Sequence, residues 1–155
     1  GLMLASGNDA AVAIAEHIGG SVPQFVQRMN ARAAELGAAN THFANPNGLP
    51  DDTHVTTAYD LALIARTAMG NDTFRKIVST QRAEIPWAGR SYNRQLKNKN
   101  RLLESYPGAT GVKTGFTSRA GRCLVFGASW DGAGRRGAQL FGLVRRGGAA
   151  DGRVF

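Results

Sequence analysis

The chain has 155 residues, of which 43% are hydrophobic and 19% charged, and its formal net charge is +8. This length and composition are enough to bury a core, so wholesale disorder is excluded. Every apolar stretch is far shorter than the ~18 residues that a membrane-spanning helix needs. The single cysteine, Cys123, excludes an internal disulfide framework and argues against a cysteine-based metal site.

The charge is unevenly distributed along the chain. Residues 1–60 hold two basic and six acidic side chains, whereas residues 61–155 hold 17 basic and five acidic ones. A basic segment can attract nucleic acid, anionic lipid or an anionic substrate. The basic residues are scattered through strand-like sequence without the interleaved aromatic residues of a stacking platform, so nucleic acid is not the expected partner.

The first 37 residues predict two helices. The first runs from Ser6 to Gly20, with Ser6 or Asn8 as its N-cap. The second opens at Ser21, has Pro23 in its first turn and ends at Gly37.

A long loop, two more helices and a set of strands follow. Residues 38–55 are dense in turn-forming residues, and Thr57 and Asp60 form a capping-box-like start to a third helix. Asn71 or Asp72 caps a short fourth helix. The hydrophobic period then changes to that of strands, at residues 80–87, about 90–97, 109–117, 121–130 and 137–145. Helices followed by tightly joined strands predict one α+β domain, a helical cluster packed against an antiparallel sheet.

Several short sequence patterns resemble functional motifs but lack a feature that the motif requires. Residues 132–137 spell G-x-G-x-x-G, but a strand follows where a phosphate-binding motif needs a helix, so a hairpin turn is expected. Lys113-Thr114 lacks the preceding glycine of a phosphate loop. His17, His42 and His54 lack the close spacing of a metal-binding pair, so we expect no metal site.

Two short motifs remain. Ser6-Gly7-Asn8 stands at the mouth of the first predicted helix, where an N-cap is the ordinary interpretation. Lys113-Thr114-Gly115 lies in a predicted strand, where a glycine commonly marks the close approach of another backbone or a ligand. Both motifs, in this order and in these contexts, are more specific than either alone.

These motifs resemble the S-x-N and K-T-G signatures of the serine penicillin-binding enzymes and the related serine β-lactamases. Further segments narrow the resemblance to the low-molecular-mass, serine-type D-alanyl-D-alanine carboxypeptidases of the peptidase S11 family, over residues 1 to about 130. These segments are residues 4–11, 25–30, 36–37, 41–49 and 106–115. The resemblance implies the transpeptidase fold shared with the β-lactamases, with its N-terminal part missing.

The resemblance also implies roles for six residues. Ser6 would relay a proton between an active-site lysine and the leaving D-alanine amine, and Asn8 would hold the bound peptide or that lysine. Lys113 and Thr114 would attract and bind the terminal carboxylate of the substrate. Gly115 would let the peptide lie along the strand edge, and the Phe116 N–H would supply one oxyanion donor. Such chemistry needs no cofactor.

The S-x-x-K motif of these enzymes occurs nowhere in the 155 residues. Ser79-Thr80-Gln81-Arg82 comes closest, but arginine does not deprotonate in proteins and cannot act as a base. Together with an opening that lacks an initiator methionine, this predicts a piece of a longer chain. We expect the 155 residues by themselves to be inactive, and an S-x-x-K about 50 to 60 codons before Ser6 to restore the enzyme.

The sequence leaves other functions open. One is a serine β-lactamase-like hydrolase, and another is a non-catalytic peptidoglycan-binding protein that has lost its nucleophile. For the carboxypeptidase, the resemblance implies peptidoglycan stem peptides and β-lactam antibiotics as ligands. It also implies export to the periplasm or the outer face of the cytoplasmic membrane, with membrane association only through a C-terminal anchor absent from this sequence.

Overall fold

The computed structural model describes residues 1–132, 135–146 and 153–154, with side chains described through Ser129. The helices in these ranges are α1 (Leu2–Ala5), α2 (Asn8–Gly19), α3 (Val22–Glu35), α4 (Ala58–Ala68), α5 (Asp72–Ser79) and α6 (Leu102–Ser105). The strands are β1 (Thr56–Thr57), β2 (Arg82–Ile85), β3 (Arg94–Lys97), β4 (Ala109–Thr117), β5 (Gly121–Gly132), β6 (Arg135–Arg146) and β7 (Arg153–Val154). The helices precede most of the strands, so the predicted α+β class is confirmed.

Three predicted helix starts are confirmed. In each, a side-chain oxygen accepts a hydrogen bond from the backbone N–H three residues further on, which satisfies a group the helix leaves unpaired. The capping residues are Ser21, Thr57 and Asn71, with hydrogen bonds of 3.4, 3.1 and 2.9 Å.

The predicted start of the first helix is wrong. A separate short helix, α1, ends at Ser6, and the N-cap of α2 is Gly7, which makes no side-chain capping bond. Ser6 takes a left-handed backbone conformation, with φ 58° and ψ 45°, as the C-cap of α1. A four-residue helix is too short to show a hydrophobic period, so the sequence could not separate α1 from α2.

All paired strands are antiparallel, as predicted, but they form more than one sheet. Strands β4, β5 and β6 form a sheet in that order, and β2 pairs with β3 in a separate hairpin. The sequence did not predict β1 and β7, which pair with each other, or α6. Gly132 pairs with Arg135, which places the predicted hairpin turn between β5 and β6, although residues 133 and 134 lie outside the described residues.

The core brings α5 against β4. Val78 of α5 is fully buried and packs with Val112 of β4 and with Met69. Gly111 allows this approach, because its φ is +143° and a Cβ there would lie 2.8 Å from Cγ2 of Val78. The strand that carries Lys113-Thr114-Gly115 is therefore fixed directly against the helices. No helix in the described ranges combines the length and apolar character needed to cross a bilayer.

The long loop before β1 is held to the helices and to itself. The Asn30 side chain donates to the Phe43 carbonyl at 2.8 Å and accepts from its N–H at 2.7 Å. Farther along, Nδ1 of the half-buried His54 accepts a hydrogen bond of 3.2 Å from the Ala44 N–H. That bond requires a neutral imidazole whose proton is on Nε2.

This last contact predicts an acid sensitivity. Burial lowers the pKa of His54 below 6.5 and the nearby His42 lowers it further, whereas Asp51 opposes the shift. Since the folded state then binds fewer protons than the unfolded state, stability is complete above about pH 6.5 and is lost as the pH falls below it. Urea unfolding at pH 7.5 and 5.0 measures the loss. We expect His54→Gln to reduce this dependence and exposed His17→Gln to leave it, whereas an undiminished dependence in His54→Gln contradicts the assignment.

Candidate active site

The structure brings the two sequence motifs together. Ser6, at the junction of α1 and α2, and Lys113, in the middle of β4, are 107 residues apart in the chain. The Lys113 Nζ donates a hydrogen bond of 2.5 Å to the Ser6 Oγ. Ser6 is also the one non-glycine residue with a positive φ in the described part of the chain. A strained conformation of this kind persists where the surroundings fix it, and such residues cluster at functional sites.

The ammonium group of Lys113 is half-buried. Its second partner is the Thr114 carbonyl, at 2.6 Å, and no carboxylate pairs with it among the side chains described through Ser129. Burial lowers the pKa of Lys113 below its usual 10.5, and the positive charge of Lys99 lowers it further. A positive charge held in this way favours the approach of an anion.

Lys99 lies near enough to Lys113 for its charge to act on it, and the sequence analysis did not identify it. Buried asparagines flank it on both sides: Asn98 donates to the carbonyls of Val78 and Thr80, and its Oδ1 accepts from the Asn100 N–H. The Lys99 N–H itself donates to the Leu4 carbonyl of α1, at 3.3 Å. Hydrogen bonds therefore hold the backbone at Lys99 in place, and the Lys99 side chain is exposed. The alternation of asparagine and lysine over residues 98–100 was the only signal in the sequence.

The effect of Lys99 on Lys113 can be measured directly. We expect Lys99→Gln to raise the pKa of Lys113 part of the way to 10.5, because one cause of the lowering is removed while burial, the larger cause, remains. Titration of the lysine ¹³Cε signals by NMR gives this pKa. Lys76→Gln removes an equal charge from the exposed face of α5 and serves as the control. An unchanged Lys113 pKa in Lys99→Gln contradicts the coupling.

The other predicted residues lie next to this pair along the chain. Asn8 is the exposed first residue of α2, and its side chain makes no hydrogen bond with any residue described. Thr114, Gly115 and Phe116 continue β4 beyond Lys113, and the Phe116 side chain is 71% exposed. A Cβ on Gly115 would meet only Cys123, at an ordinary 3.8 Å. No contact within the described chain therefore requires glycine at this position.

Strand β4 offers an open edge at the site. It is the first strand of the β4–β5–β6 sheet, and within the described ranges it pairs only with β5. The backbone groups on its other side are available to an extended peptide, which could add as a further strand. An apolar groove elsewhere, lined by α3 residues with Phe43 and Ile64, contains none of the predicted site residues.

The arrangement suits acyl transfer to and from a hydroxyl. A serine hydroxyl hydrogen-bonded to a lysine can pass a proton, and an unpaired ammonium group can bind a carboxylate or stabilise developing negative charge. In the part of the chain that the structure describes, no group of three or more His, Cys, Asp or Glu side chains could hold a metal ion.

Comparison with known proteins places the chain in a family. The sequence profile of the D-alanyl-D-alanine carboxypeptidases, peptidase S11, matches residues 1–135. The carboxypeptidase DacF of Bacillus subtilis is 43% identical over 128 residues, 83% of this chain and 33% of its own. DacB2 of Mycobacterium tuberculosis is 41% identical over 150 residues, 96% of this chain and 50% of its own. A serine-to-alanine mutant of the Streptomyces K15 DD-transpeptidase superposes with a TM-score of 0.84 at 39% identity, covering 94% of this chain and 58% of its own.

The fold is therefore that of the penicillin-binding DD-peptidases, as the sequence motifs predicted. The chain belongs to the D-alanyl-D-alanine carboxypeptidase family, peptidase S11. It spans a third to a half of the length of these two carboxypeptidase relatives.

Proposed function

We propose that this chain is part of the catalytic domain of a serine-type D-alanyl-D-alanine carboxypeptidase, which removes the terminal D-alanine from peptidoglycan stem peptides. The observation that carries the proposal is the 2.5 Å hydrogen bond between Lys113 Nζ and Ser6 Oγ, which joins the two family motifs in one site. Family membership supports the reaction class.

The proposed reaction forms and hydrolyses an acyl-enzyme. A serine outside these 155 residues gives its proton to a lysine base, also outside them, and attacks the carbonyl of the D-Ala-D-Ala peptide bond. Ser6 relays the proton to the departing D-alanine amine, and Asn8 holds the bound peptide or the base lysine. Water then breaks the new ester bond and regenerates the serine.

Substrate binding in this proposal uses β4. The uncompensated ammonium of Lys113 and the Thr114 hydroxyl bind the terminal carboxylate. The peptide adds to the open edge of β4, where Gly115 places no side chain in its way. The Phe116 N–H donates to the developing oxyanion.

The proposal also covers where the enzyme acts, which inhibitors it binds and whether it needs a cofactor. Peptidoglycan lies outside the cytoplasmic membrane, so the protein acts in the periplasm or at the outer face of that membrane. β-Lactam antibiotics acylate the same serine that attacks D-Ala-D-Ala. The proposed reaction needs neither a metal ion nor a cofactor.

The test compares two activities of the full-length gene product. We expect D-alanine to be released from a peptide ending in D-Ala-D-Ala, with slow turnover of a β-lactam. Rapid β-lactam hydrolysis without D-alanine release would make the protein a β-lactamase instead. If the upstream coding sequence carries no S-x-x-K and the product releases no D-alanine, the protein is a non-catalytic relative that binds peptidoglycan.

A further inference from the structure

The β2–β3 hairpin carries an exposed cluster of aromatic and basic side chains outside both motifs. Trp87 and Tyr92 meet edge to face, with ring centroids 5.6 Å apart. The guanidinium carbons of Arg90 and Arg94 lie over the Trp87 ring, at 5.7 and 5.5 Å from its centroid. We call these four residues the Trp87 cluster.

The turn of the hairpin positions the cluster. The Arg90 N–H donates to the Trp87 carbonyl at 3.0 Å, and Gly89 has a φ of +75°, as the third residue of a type II turn requires. In the strands, Ile85 pairs with Arg94. The cluster therefore lies at the end of a regular hairpin, and every side chain over residues 86–95 is exposed.

The charge of the hairpin is positive and largely uncompensated. Residues 82–97 contain four basic side chains and one acidic side chain, Glu84. Glu84 accepts hydrogen bonds from Asn93 and Gln95, and Lys97 pairs with Glu104. Neither Arg90 nor Arg94 pairs with a carboxylate among the side chains described, so their donors are free to bind anions.

We propose that the Trp87 cluster docks the protein onto the surface of an anionic lipid bilayer. Tryptophan and tyrosine favour the boundary between lipid headgroups and acyl chains, because their rings are apolar and carry a polar tip. Arginine stacked on an aromatic ring keeps its planar set of donors available to phosphate oxygens. Since the residues of the hairpin end are exposed, the cluster fits a flat surface better than a ligand that must be enclosed. None of the four residues of the Trp87 cluster belongs to the two active-site motifs.

The test uses sedimentation with vesicles. We expect the chain to bind vesicles of phosphatidylglycerol and phosphatidylcholine but not vesicles of phosphatidylcholine alone. The double variant Arg90→Gln/Arg94→Gln should bind roughly 30-fold more weakly, since each basic residue near an anionic surface contributes roughly 5-fold in affinity. The control Arg66→Gln/Lys76→Gln removes the same charge from exposed positions on α4 and α5. An equal loss in the control means attraction by net charge alone and overturns the proposal, as does a failure to bind anionic vesicles.

Tryptophan fluorescence gives a second readout that net charge cannot produce. The chain has two tryptophans, so Trp130→Phe leaves Trp87 as the reporter. Its emission should shift to shorter wavelength when anionic vesicles are added. If the variant loses its fold by circular dichroism, the unsubstituted chain is compared with Trp87→Phe, in which the shift should be absent. Binding without a Trp87-dependent shift, or equal binding to dextran sulfate as a soluble anionic polymer, overturns the proposal.

Discussion

Replacing Lys113 with alanine in the full-length gene product is expected to lower kcat/KM for D-alanine release roughly 10³-fold. The substitution removes the ammonium that donates to Ser6 Oγ and, in our proposal, binds the substrate carboxylate. Both the proton relay and substrate binding are affected, so kcat should fall and KM should rise. Initial rates over a range of peptide concentrations separate the two effects.

Three further variants provide a control and test whether Ser6 and Lys113 act together. Lys76→Ala removes an exposed lysine from α5 and should leave kcat/KM unchanged. Ser6→Ala and the double variant Ser6→Ala/Lys113→Ala complete a cycle, in which the combined loss should be much smaller than the product of the separate losses, because the two side chains act together. Independent effects, or a Lys113→Ala enzyme as active as the control, would remove Lys113 from the proposed relay.

Asp60→Ala is expected to lower the free energy of unfolding by about 3 kcal/mol. The carboxylate is 1% exposed and accepts hydrogen bonds of 2.8 Å from the Asn40 N–H and the Thr41 hydroxyl. Alanine leaves these part-buried donors without their charged acceptor at the point where the long loop joins α4. Urea unfolding monitored by circular dichroism measures the change.

Two matched variants distinguish the loss of the Asp60 hydrogen bonds from the loss of a negative charge. Asp60→Asn keeps an oxygen acceptor and should lose less stability than Asp60→Ala. Asp52→Ala removes a carboxylate that is 91% exposed, although it pairs with Arg119, and should unfold as the unsubstituted chain does. If Asp60→Ala is no less stable than Asp52→Ala, the buried network does not hold the loop.

Local signals in the sequence located most of the elements. Caps at Ser21, Thr57 and Asn71 and the change of hydrophobic period predicted the helices and strands, because these features depend on neighbouring residues. The sequence indicated only part of the role of Asp60. Its N–H is capped by Thr57 as the pattern indicated, but its carboxylate binds a loop about 20 residues earlier.

The sequence predicted the residues of the site that belong to the two short motifs. Ser6 and Lys113 were identified by short motifs. The structure gives the distance between them, which depends on how α1, through Met3, packs against the core formed by α5 and β4. The interpretation of Ser6 as an N-cap was wrong because Ser6 ends the separate short helix α1, and Gly7 is the N-cap of α2. Lys99 was missed because only tertiary structure places its charge near Lys113.

The acylation of the full-length gene product by a fluorescent penicillin, followed by peptide mass mapping, tests the active-site assignment most directly. We expect one covalent adduct, on a serine of an S-x-x-K motif outside these 155 residues, formed much more slowly in Ser6→Ala and Lys113→Ala. The 155 residues alone should form none. An adduct on the isolated chain, or acylation of the full-length protein at an undiminished rate in both variants, would contradict this assignment.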